Sequence, residues 1–310
     1  MPYRWIRKPA LLGLGLSATL AAGLAGCGDQ TADKDNAVVV PDPNAVVHSK
    51  APATSGGGTT KAPAAATGTE TAASGGSAAP VKAEGWGTLK GRVTFEGTPP
   101  QATVLQAVGK AEKDPEICAK TAPIVSEKLV VNSGTKGVKN AFVYLQRPTA
   151  VNEEAKKEAL AKHAEFDQKN CTYIPHALAV MTGETVTVKS SDPTNHNVNF
   201  QLKNLTKNPL IAPGTTLDVT PDSPERAPGP VSCSIHPWMM AYWLVLDHPY
   251  FAVTDENGNF EIKNAPAGTQ KVVVWQEATG YVGASSGDPV NIKPNEATTL
   301  DFKIDPAKVK

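Results

Sequence analysis

The 310-residue chain has no excess of charge of either sign, with 30 Lys and Arg against 30 Asp and Glu. A basic face for nucleic acid or anionic lipid therefore has no support in the composition, and no nucleic-acid partner is expected. Signatures of catalysis are missing too. There is no glycine-rich phosphate loop, and no Ser-His-Asp set can be placed from residue order, so the expectation is that the chain is not an enzyme. The apolar run from about Ala10 to Leu24 is too short for a membrane span. Preceded by Arg4, Arg7 and Lys8 and ending in small residues, it has the form of an export signal, residues 1–26. Aromatic residues are only 6% of the chain, and none falls between Gly28 and Glu84, a stretch of Ala, Gly, Thr, Ser and Pro. Such a segment cannot bury enough apolar surface to offset its ordering entropy, so residues 27–84 are expected to be a disordered linker. As a flexible coil it would reach roughly 40 Å.

Residues 85–310 carry strand signals at short spacing. They include Thr88–Phe95, Leu129–Val131, Ala141–Leu145, Ala177–Met181, Glu184–Val188, Tyr242–Leu246, Phe251–Thr254, Asn259–Ile262, Lys271–Trp275 and Leu300–Ile304. One clear helix is expected from Asn152 to Ala164, capped by Asn152 and supported by the four-apart pairs Glu153–Lys157 and Glu158–Lys162. Many short strands, Gly/Pro/Asn turns and one surface helix predict an all-β chain of sandwiches.

The most informative segment is Cys233-Ser234-Ile235-His236-Pro237-Trp238-Met239, together with His196 in Asn195-His196-Asn197. A thiolate, two imidazoles and a weak thioether are the ligand set of a blue-copper electron-transfer site, and such a set leaves no position open for a substrate. Zinc could use the Cys and both His, but a structural zinc site wants a fourth strong donor, and Met is a poor one.

Several segments resemble known families. Leu24-Ala25-Gly26-Cys27 resembles the lipobox of bacterial lipoproteins, which implies a lipid on Cys27 and a membrane anchor through it. Gly28 after that Cys implies the periplasmic face of the outer membrane, or the cell surface, where disulfides are admissible. Residues 165–248 resemble a cupredoxin, with the short loop spacing of amicyanin and a Greek-key β-sandwich fold. The resemblance implies one type 1 copper centre held by His196, Cys233, His236 and axial Met239, with neighbouring Met240 as a competitor for the axial role. It also implies a backbone N–H of Asn197 donating to the Cys233 sulfur; the partly apolar residues Pro237, Trp238 and Met240 would form a rim that restricts water. Ala227–Ser232 departs from the regular strand expected before the Cys. Residues 85–150 and 249–310 resemble a carboxypeptidase-regulatory-like, or transthyretin-like, β-sandwich. The cupredoxin part is then packed on that sandwich or inserted into it, with two consecutive domains as the other reading.

With Cys27 assigned to lipid and Cys233 to copper, Cys118 and Cys171 remain as a disulfide candidate. The alternative is a second metal site of Cys171 with His176. The functional expectation is a carrier of single electrons between redox partner proteins, its electrons leaving by an exposed edge of His236. The alternative function is a cell-surface binding or assembly module with a structural or vestigial copper site.

Overall fold

The computed structural model describes residues 84–310. The export signal, Cys27 and the linker through residue 83 lie outside the described residues.

Two β-sandwiches are built from this length. In the first, Trp86–Phe95 pairs antiparallel with Asn259–Pro266 and parallel with Ala297–Thr299 and Phe302–Ile304. Facing it is an antiparallel sheet of Phe251–Val253, Phe142–Leu145, Gly268–Gln276 and Gly280–Val282, with Asp288–Ile292 also on Gly268–Gln276. Between the sheets lie Leu89, Val93, Val143, Leu145, Phe260, Ile262, Val272 and Val274, all buried. Two glycines are set by close backbone approach: a Cβ on Gly91 would strike the Leu300 carbonyl, and one on Gly258 the Val93 carbonyl. Gly258 also takes the left-handed conformation (φ +77°) that closes the Asp255–Gly258 turn.

The second sandwich occupies the chain between two strands of the first. Phe142–Leu145 and Phe251–Val253 are neighbours in one sheet, yet everything from Ala164 to Leu246 intervenes. One of its sheets runs Thr216–Val219, Val186–Ser190, Ala164–Lys169, Thr172–Ile174; the other runs Asn199–Phe200, Gly229–Ser232, Met240–Leu246, Ala177–Met181. Its core is aromatic at the centre. Trp243 meets Phe166 at 5.1 Å and Phe200 at 4.9 Å, both edge-on, and Phe166 stacks on Tyr173 at 4.9 Å. Such pairs are worth about 0.5–1.5 kcal/mol each beyond their burial.

Met240–Leu246 joins the two sandwiches. Ala241, Trp243 and Val245 point into the second core, while Leu244 and Leu246 meet Phe142, Tyr144 and Val273 of the first sandwich. A strand covered on both faces reads as an unbroken apolar run, which is the form of this sequence.

The helix spans Glu153–Leu160, shorter than the expected Asn152–Ala164. Asn152 caps it, accepting from the N–H groups of Glu154 and Ala155. It stops early because Ala164 opens a strand parallel to Val186–Ser190, and that pairing overrides helix propensity. Leu129–Val131 forms no strand, only a single bridge from Val131 to Val138. The short Val104–Gln106 and Ile124–Val125 pair was not expected from pattern, since three-residue and two-residue strands carry too little periodicity.

Leu244→Ala should lower stability by about 2–5 kcal/mol, whereas Leu217→Ala at an exposed position should stay within about 0.5 kcal/mol. Urea midpoints of the two variants check this; equal midpoints would mean that the two sandwiches are not packed through Leu244.

Candidate metal centre

The site is assembled from two loops of the second sandwich. His196–Asn197 is a two-residue strand against Leu210–Ile211. Cys233 follows the strand Gly229–Ser232, which pairs regularly with Asn199–Phe200 on one side and Met240–Leu246 on the other. The irregularity expected at Ala227–Ser232 is therefore confined to residues before Gly229, and Pro230 does not prevent pairing because the neighbouring groups complete the ladder.

The loop from Cys233 to Met239 is closed by its own backbone. Cys233 N–H donates to Met239 O (3.2 Å) and Met239 N–H to His236 O (2.9 Å), while His236 N–H points at the Cys233 sulfur (3.4 Å). Asn197 clamps it from the other loop. Its side-chain Oδ1 accepts from Ser234 N–H (2.8 Å) and Ile235 N–H (3.3 Å), and lies 3.3 Å from Cys233 Sγ. Tyr173 holds Asn197 in turn, its hydroxyl donating to the Asn197 carbonyl at 2.6 Å.

The donor atoms converge. His196 Nδ1 and His236 Nδ1 are 3.0 Å apart, and Cys233 Sγ is 3.8 Å from His236 Nδ1. One donor atom from each of the three residues lies within 4.8 Å of the others. Both imidazoles are fully buried and the thiol is 2% exposed. Each ring's Nε2 faces a carboxylate: Asp192 Oδ2 for His196 (3.0 Å) and Asp114 Oδ2 for His236 (2.9 Å). An ionised carboxylate only accepts, so these partners assign the ring proton to Nε2 and turn both Nδ1 lone pairs inward. Two lone pairs at 3.0 Å beside a sulfur demand a positive charge between them.

The electrostatics say the same. Burial pushes the Cys233 thiol up, but the positive charge shared by the His196 and His236 rings and the backbone N–H groups of Asn197 and His236 outweigh it and bring it down to about 5. Burial pulls His196 down, but Asp192 and the Cys233 sulfur lift it to about 9. A proton satisfies this pocket, and a metal cation in its place would do the same. The residues therefore fit a thiophilic metal of the copper type, with carboxylates fixing ring orientation as at metal-bound histidines generally.

Of the two methionines, Met239 is buried in the same core cluster as Cys233. Met240 opens the following strand on the face it shares with Tyr242 and Leu244, and both methionines line a 230 Å³ pocket with His176 and Glu277. Pro237 is exposed, and Trp238 is half-buried with its indole N–H on the Cys171 carbonyl (3.1 Å). Cys118 and Cys171 form a disulfide, so the alternative pairing of a Cys171 thiolate with His176 does not arise; His176 Nε2 meets Glu277 at 2.6 Å instead.

One expectation is overturned. The His236 edge is covered, not exposed, because Asp114 from the first sandwich's part of the chain sits on its Nε2. Sequence reasoning missed Asp192, Asp114 and the Asn197 side chain. Asp192 was findable as a carboxylate four residues before His196; Asp114 is 122 residues from its partner and left no local signal.

No family model matches the chain, and no curated protein matches it. Among solved structures the chain is similar to cupredoxins. A purple cupredoxin from Nitrosopumilus maritimus is 22% identical over 26% of this chain and 98% of its own, with a TM-score of 0.24. An amicyanin proline-to-phenylalanine variant in its reduced state is 23% identical over 34% of this chain and 98% of its own, TM-score 0.25. A copper-containing nitrite reductase from Thermus scotoductus SA-01 is 19% identical over 27% of this chain and 22% of its own, TM-score 0.24.

Asn197→Ala should leave the Ser234 and Ile235 N–H groups without their acceptor and destabilise the loop by about 1–3 kcal/mol. Hydrogen exchange of residues 233–239 should speed up accordingly; unchanged exchange there would show that Asn197 is not the clamp.

Proposed function

We propose that this chain is an exported type 1 copper protein, anchored through a lipid on Cys27, that passes single electrons between larger redox proteins and catalyses no reaction of its own. Its place is the periplasmic face of the outer membrane or the cell surface. The observation that carries this reading is the inward convergence of Cys233 Sγ with the Nδ1 atoms of His196 and His236 in a pocket that water does not reach. A copper ion held by these three residues and Met239 supplies exchange of one electron between its cuprous and cupric states.

The chain's own residues do the rest. Cys233 is held as a thiolate by its neighbours, so the proton that a bound metal displaces is the one held between the imidazoles, not one on the sulfur. Asp192 and Asp114 keep the proton of each imidazole on Nε2. Asn197 and the closed backbone of the Cys233–Met239 loop fix the donors in place, which keeps rearrangement on electron transfer small. Burial excludes water and substrates alike, which favours a carrier over an enzyme. As part of the same proposal, the first sandwich is a transthyretin-like support, and residues 27–84 are a tether that lets the head meet partners away from the membrane.

The copper-loaded protein should show an intense visible thiolate charge-transfer band and a reversible one-electron couple, both lost in Cys233→Ser. A loaded protein without the band would reject the reading, and tight metal binding without reversible redox would favour a structural metal instead. Asp192→Ala should weaken metal affinity by about 10–100-fold while the fold persists, measured by competition with a chelator.

A further inference from the structure

The outer wall of the metal centre is not made by the second sandwich. Residues 107–123 leave the Val104–Gln106 strand, cross over His236 and return at Ile124–Val125. This segment is fastened at two points. Asp114 Oδ2 accepts from His236 Nε2 (2.9 Å) and from the Thr194 hydroxyl (2.8 Å), and the Asp114 carbonyl accepts from Ile117 and Cys118 N–H in a tight turn. Four residues on, Cys118 is bonded to Cys171. That disulfide lies against the site itself: both sulfurs are within 4.8 Å of a His236 ring nitrogen, Cys171 N–H donates to Asp192 Oδ2 (2.8 Å), and Cys171 O accepts from Trp238. Ala111, Cys118 and Ala119 are buried in the same cluster as Cys233 and Met239.

Residues 107–123 form the wall on the His236 Nε2 side, so a metal ion entering from that side must pass them. Cys233 and His236 are held on the opposite side by strands and loops of the second sandwich, whereas residues 107–123 belong to no sheet and cover His236 as a single strap. With Cys118 bonded to Cys171, the strap is pinned at its middle and can lift only at its ends.

We propose that residues 107–123 are a lid over the metal centre and that the Cys118–Cys171 bond is its lock, so that metal is taken up before the lock closes and retained afterwards. The proposal rests on the copper reading above. Closure is a balanced thiol–disulfide exchange: the Cys118 and Cys171 thiols give two electrons and two protons to a disulfide-bearing oxidant of the exported compartment, which leaves as two thiols. Asp114 is the latch at the second point.

The test uses the full chain without metal. Iodoacetamide labelling of Cys233, followed peptide by peptide in a mass spectrometer, needs no copper. Labelling should run at least about tenfold faster in Cys118→Ala/Cys171→Ala than in the locked chain, and stopped-flow uptake of cupric ion should quicken in parallel. Hydrogen exchange of Val186–Ser190 should be unchanged, showing that the core has not opened. Rates within twofold of the locked chain would overturn the proposal. Should the double variant lose its near-UV circular dichroism, Asp114→Ala decides, because it loosens the latch with the disulfide intact. Faster Cys233 labelling in that variant supports the lid, and an unchanged rate overturns it. A chain whose labelling follows the lock but which shows no charge-transfer band rejects the electron-carrier function and leaves the lid standing.

Discussion

Three electron-rich atoms forced together out of reach of water are the constraint around which this molecule is arranged. Two imidazole nitrogens at 3.0 Å and a sulfur nearby repel one another unless a positive charge lies among them. The chain strengthens that demand instead of relieving it. Asp192 and Asp114 add negative charge behind the rings, and burial removes the solvent that would otherwise screen it. Such a pocket is expensive to hold open, so each member is tied to something rigid. Asn197 is held by Tyr173, Asp192 by the N–H groups of Asn170 and Cys171, and Asp114 by Thr194.

Those ties explain why the two sandwiches are not independent modules. The second is threaded between two paired strands of the first, shares an apolar face with it along Met240–Leu246, and receives Asp114 and Cys118 from its part of the chain. The converging Cys233, His196 and His236 are therefore supported from both sides: by the aromatic core of Phe166, Tyr173, Phe200 and Trp243 beneath, and by residues 107–123 above. An imidazole edge open to a docking partner is incompatible with that covering.

The all-β class was legible because it depends on short-range patterns of alternation and turn residues, and Cys233 and His236 were legible as a pair because they stand three positions apart; His196 joins them only through the fold. The helix was legible in kind and at its cap, but not at its end, where strand pairing took over from propensity. The short strand Val104–Gln106 and its partner were invisible for want of periodicity. Asp114 was invisible for a different reason. A carboxylate on a loop looks the same whether it faces solvent or a histidine, and only the fold brings residues 114 and 236 together.

The double duty of Met240–Leu246 has one more consequence. Side chains on a strand alternate strictly, so a slip of one residue would turn Trp243 toward Phe142 and Leu244 toward Phe166. Both interiors would be ruined by the same error, and the loop carrying Cys233 and His236 would shift with it. An insertion or deletion of one residue in this stretch would therefore disrupt both interiors at once.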